Sequence, residues 1–161
     1  SVHMAGEKYQ HFDLYYIEKN SETYYHSVID SYLEDVLRLA RWGRFSVLGH
    51  LTLPLRYLNE NLGEHVTFDD HYDQCREIFR TLIENGCGIE CNTNRGNTPL
   101  PDAPLLRLYR QQGGEIITLG SDAHSAEYVG CCIRERQELL RECGFRYFCT
   151  FEGGKPTFRK L

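Results

Sequence analysis

Apolar positions along the chain switch repeatedly between a helical and a strand-like spacing. From Glu22 to Trp42, residues Tyr25, Val28, Ile29, Tyr32, Leu33, Val36, Leu39 and Ala40 recur at steps of three and four, and Gly43 follows. That spacing predicts a helix with one buried face and a glycine stop. "FSVLGH", starting at Phe45, is a short β-prone run that gives out at Gly49 and His50. A polar loop leads to a second predicted helix, from about Phe68 to Asn85, closed by Gly86. "CGIECN" is the next strand, and "NTNRGNTPLPD" after it is rich in the residues that make turns cheap. A third helix is predicted from about Ala103 to Gln112, a strand over "EIITLG", a fourth helix from about Glu127 to Cys143, and a last strand over "FRYFCTF".

Helices alternating with strands predict an α/β fold with parallel strands, as an open sheet or closed into a barrel. No repeat, low-complexity segment or shift in composition divides residues 1–161, so one domain is expected. The net charge of -5, with no cluster of Lys and Arg, argues against nucleic acid as a partner. A small phosphorylated substrate held by one or two local cations remains open. No apolar run approaches the roughly 18 residues that would span a membrane. The seven cysteines are odd in number and contain no C-x-x-C pair, which points to free, mostly buried thiols in a reducing cytoplasm.

Candidate chemistry gathers where strands end, as it does in parallel α/β architectures. His50 closes the first strand, Glu90 and Asn92 the second, and Asp122 and His124 follow the third in "GSDAH". An acid and an imidazole two apart in extended backbone share a side. Their mixed oxygen and nitrogen donors suit Zn, Mn or Fe better than Ca. The plainer alternative is an aspartate that caps the next helix, with a histidine packed nearby. Arg56 and Arg95 lie beyond strand ends on the same face, and a guanidinium fork matches phosphate oxygens. His3 stands at the very start, where "HM" also reads as a cloning remnant. His11, His26, His65 and His71 have no strand-end placement and are expected at the surface.

"VLGHLTLPLRY", "IECNTN", "GGEIITLGSDAH" and the following "VG" together resemble the histidinol-phosphatases of the polymerase-and-histidinol-phosphatase (PHP) superfamily. The resemblance implies a distorted (β/α)7 barrel around a cluster of up to three divalent metal ions. By carry-over, His3, His50, Asp122 and His124 would be metal ligands, and Arg95 and Arg56 would hold the substrate phosphate. Asp122 and His124 would also be the catalytic pair, with Glu90 and Asn92 near the substrate and Glu90 not a ligand. The implied reaction is hydrolysis of histidinol phosphate to histidinol and phosphate, in histidine biosynthesis.

The family opens with an H-x-H pair on its first strand, followed by further His and Glu ligands, and nothing here supplies them. The expectation is a C-terminal portion of such a protein, with sheet edges that a second chain or a fuller parent would cover. Two alternatives stand beside the main reading. One is a PHP-type phosphoesterase with a different substrate; the other is a non-catalytic metal-binding module that needs its missing half.

Overall fold

The computed structural model describes residues 1–161. Helix α1 covers Glu22–Trp42, as its periodicity predicted. The Ser21 side chain accepts from the Tyr24 amide at 3.2 Å at one end, and Gly43 takes a left-handed conformation, φ 61°, at the other. Its inner face, including Tyr25, Val28, Ile29, Tyr32, Leu33 and Val36, is fully buried. Strand β1 is only Val47–Leu48, shorter than the "FSVLGH" run suggests. After it comes a single turn of helix, α2 (Leu53–Leu55), which continues into a π-helical turn over Arg56–Asn61. A plain loop was expected there. Helix α3 (Tyr72–Glu84), strand β2 (Gly88–Asn92), helix α4 (Ala103–Gln111) and strand β3 (Ile117–Gly120) complete the alternating part.

These strands form one parallel sheet in the order β1-β2-β3. Val47 is opposite Gly88, and Ile89 through Asn92 are opposite Ile117 through Gly120. Parallel pairing requires crossovers, and α3 and α4 supply them. The core lies between this sheet and α1, α3 and α4, where Phe79 and Tyr109 meet edge-on with ring centroids 5.2 Å apart. Five cysteines are buried within the fold, Cys131 and Cys132 are half-buried, and all seven are free. No helix is long and apolar enough to cross a membrane.

Four further expectations need correction. The second helix begins at Tyr72, because Asp69–His71 form a separate 3-10 turn. The fourth, α5, covers only Ile133–Glu142; left-handed Gly130 and Cys132 (φ 70° and 57°) break the helical path before it. The last strand, β4 (Tyr147–Glu152), does not extend the parallel sheet as a ladder. It pairs antiparallel with an unforeseen strand, β5 (Lys155–Lys160). Gly153 and Gly154, with φ 55° and 75°, are the two positive-φ residues that a tight hairpin turn demands. Finally, His71 is not at the surface. It is buried, with Nε2 2.9 Å from His26 Nδ1 and Nδ1 3.0 Å from Asp30 Oδ1, and it joins α3 to α1. His11 and His65 are exposed, as expected.

Candidate active site

The carboxyl ends of the three parallel strands deliver His50, Glu90, Asn92 and Asp122 to one rim of the sheet. Glu90 organises the centre. Its Oε2 accepts from the His50 backbone N–H at 3.0 Å and from Asn92 Nδ2 at 3.1 Å. Gly120 makes room for that carboxylate, and Gly49 borders it at ordinary contact distance. A Cβ on Gly120 would collide with Glu90 Oε1, and one on Gly49 would come within 3.5 Å of Oε2. Gly120 is therefore a spatial requirement of the site as well as a strand terminator.

His50 and Asp122 both adopt positive φ, 33° and 50°, a conformation that costs a non-glycine residue energy and recurs at functional sites. The His50 ring is buried, and its Nδ1 has no hydrogen-bond partner. His3 approaches it edge-on, with centroids 4.8 Å apart. Burial first, and the His3 ring second, lower the His50 pKa to about 4. The ring is neutral at pH 7 and offers a lone pair, the form in which a histidine binds a metal.

Arg56, delivered by the π-helical turn, lies across the rim as a fork. Its Nη1 donates to Asp122 Oδ2 at 2.9 Å, its Nε to Asn94 Oδ1 at 2.8 Å, and its Nη2 to Asn92 Oδ1 at 3.3 Å. Each terminal nitrogen keeps one further N–H, so the fork is anchored without being used up. His124 is exposed, and its Nδ1 lies 2.8 Å from the Asp122 carbonyl oxygen. A carbonyl only accepts, so Nδ1 carries the proton and Nε2 presents the lone pair, the arrangement usual for a metal-bound histidine. Arg95 stands apart from this network. It occupies an exposed, left-handed position in the loop after β2, with its guanidinium 5.1 Å from the centre of the Tyr128 ring.

Sequence reasoning missed Asn94 and Glu60. Asn94 is buried with φ 50°; its Nδ2 donates to Glu60 and, at 2.8 Å, to the Thr98 carbonyl. The signal was present, since asparagine tolerates a left-handed backbone and "NTNRGN" is dense in it. Its partner Glu60 lay in a segment read as loop.

These donors fit part of a metal site. The unpartnered His50 Nδ1 and the free His124 Nε2 are suitable nitrogens, and Asp122 Oδ1 is not taken by Arg56. No three His, Cys, Asp or Glu side chains, however, gather closely enough to enclose an ion by themselves.

A rim of histidine, aspartate and arginine above a parallel α/β sheet defines the class as a candidate metal-and-phosphate site. Within that class the chain is similar to histidinol-phosphatases. It is 31% identical over 133 residues to a probable histidinol-phosphatase of Thermotoga maritima, covering 81% of this chain and 54% of that one. It is 28% identical over 160 residues to a histidinol-phosphatase of Lactococcus lactis, covering 96% and 58%. The chain spans about half the length of the curated relatives it matches. No family model matches it. The fold is shared, at a TM-score of 0.66 and 22% identity, with histidinol phosphate phosphatase from Lactococcus lactis, solved with zinc, L-histidinol and phosphate; the match covers 89% of this chain and 54% of that one. The resemblance read from the motifs is borne out.

Proposed function

We propose that this chain carries part of the catalytic site of a metal-dependent phosphate monoester hydrolase, acting on histidinol phosphate in a reducing cytoplasm, within a partial distorted (β/α)7 barrel. The observation that carries the reading is the convergence of His3, His50, Asp122 and Arg56 at the strand ends of a chain similar to histidinol-phosphatases. His50, through its unpartnered nitrogen, and His3, Asp122 and His124 would hold divalent cations, Zn in the first place, with Mn or Fe and a count of up to three as the finer expectation. When bound, such cations supply a water that is deprotonated at neutral pH.

The chain's own residues account for the remaining chemistry. The free N–H groups of Arg56 and the open fork of Arg95 bind the phosphoryl oxygens and offset the charge that builds on them. Arg56 is held in register by Asn92 and Asn94, so little ordering remains to be done when phosphate arrives. Water oxygen joins phosphorus, the ester P–O bond breaks, and the proton that the water gives up reaches the departing alkoxide through Asp122 or His124, whichever is not engaged by a cation. The products are histidinol and inorganic phosphate.

A second reading is favoured by two observations: three ligating side chains do not meet, and Asp122 is paired with Arg56. On that reading the chain binds metal weakly and is completed by another segment or a second chain. Metal analysis of the purified chain, followed by phosphate release from histidinol phosphate and from other monoesters after adding Zn or Mn, separates the two. At least one metal per chain, with histidinol phosphate preferred tenfold or more, supports the hydrolase acting alone. Less than one metal and no release supports the incomplete module. Release with a different monoester preferred overturns the substrate and leaves another phosphoesterase.

A further inference from the structure

We propose that Cys131 and Cys132 form a vicinal-dithiol site for a trivalent thiophilic electrophile of the organoarsenical class, bound through both sulfurs. The two Sγ atoms are 3.4 Å apart and both residues are half-buried, whereas the other five cysteines are buried. Neighbouring side chains in extended backbone point to opposite sides. Here Cys132 is left-handed, φ 57°, and the two thiols meet instead. A positive φ at a non-glycine residue is a conformation that the surrounding fold must maintain.

The geometry selects a bridging ligand over a direct disulfide. Adjacent residues joined by a trans peptide have Cα atoms about 3.8 Å apart, and an ordinary disulfide needs about 4.4 to 6.8 Å. Closing an S–S bond here would strain the backbone and leave the bond easily reduced. A single atom inserted between the sulfurs needs no such closure. The hydrogen bond that Cys132 shares with Cys131 raises its pKa, which favours the thiol at that residue. Zinc is disfavoured, because it takes four ligands and no third His, Cys, Asp or Glu joins the pair. An arsenical brings its own carbon ligand and needs only two sulfurs. In the reaction two S–H bonds break and two As–S bonds form. The oxide oxygen leaves with both protons as water, and arsenic stays trivalent.

The position links this site to the loop after β2. A Cβ on Gly96, next to Arg95, would come within 3.1 Å of Cys132 Sγ. Arg136, one turn into α5, donates to the carbonyls of Thr93 and Asn97 in the same loop. The proposal does not depend on the phosphatase reading. The test uses the full chain with phenylarsine oxide, followed by intact mass. One adduct per chain is expected, stable to excess mercaptoethanol and released by ethanedithiol. Cys131→Ser and Cys132→Ser, each checked for folding by circular dichroism, should raise the half-saturating concentration at least tenfold, and Cys91→Ala should leave it unchanged. Equal labelling of both serine variants and the parent, or release by the monothiol, would overturn the proposal.

Discussion

Arg56 Nη1 donates to Asp122 Oδ2 across 2.9 Å, although the two residues are 66 positions apart, and their side chains are only 16% and 26% exposed. The contact ties the π-helical turn after β1 to the loop after β3. It also sets a cation against the carboxylate proposed to hold metal. Replacing Arg56 with Met should therefore act in two directions. Zinc affinity, measured by calorimetry, should rise about tenfold as Asp122 is released, while folding stability falls by about 1 to 3 kcal/mol for the carboxylate left unpaired. If zinc affinity falls instead, the arginine assists the metal site and does not compete with it.

The low pKa of His50 makes a prediction for the metal-free protein. With the folded value near 4 and an unfolded value near 6.5, the unfolded chain takes up the proton first. The His50 contribution is then constant above about pH 6.5 and declines as pH falls towards 4, by about 3 kcal/mol in all. Urea unfolding in chelator across this range measures it. His50→Gln should flatten the slope; an unchanged slope would mean that the ring is solvated.

Gly120→Ala should be costly despite adding one methyl group. The new Cβ meets Glu90 Oε1, whose carboxylate holds the His50 amide and the Asn92 side chain. A loss of about 1 to 3 kcal/mol is expected from overpacking, read as a lower urea midpoint with an unchanged slope.

Arg95→Ala should leave stability within about 0.5 kcal/mol, since the residue is exposed. Under the phosphatase reading, inorganic phosphate should bind about tenfold more weakly. Tyr128→Ala should give a smaller loss, because the ring only steadies the guanidinium. Equal phosphate affinity in Arg95→Ala and the parent would remove this residue from the site.

The parts of the fold legible in sequence were those set by local period and punctuation. Tyr25 to Ala40 repeat the helical spacing without interruption, and Gly43 stops the helix where expected. The strand ends were also legible, because Gly49 and Gly120 mark them and polar residues follow. The misses have physical causes. Cys132 takes a left-handed conformation that cysteine rarely adopts, so no periodicity announces the break before α5. The direction of β4 depends on Gly153 and Gly154, a hairpin signal beside a run that suited a parallel strand equally well. Burial of His71 depends on His26 and Asp30 across two helices, a pairing that spacing along the chain does not encode. The Arg56–Asp122 contact is of the same kind: both residues were singled out, and their partnership was not.

The brevity of β1 has a consequence for assembly. A two-residue border with β2 on one side leaves a short row of backbone groups on the other, too few to recruit foreign segments by amide pairing alone. Any additional strand that docks there must be chosen by its side chains. This margin of the sheet can therefore remain uncovered without becoming a template for runaway stacking.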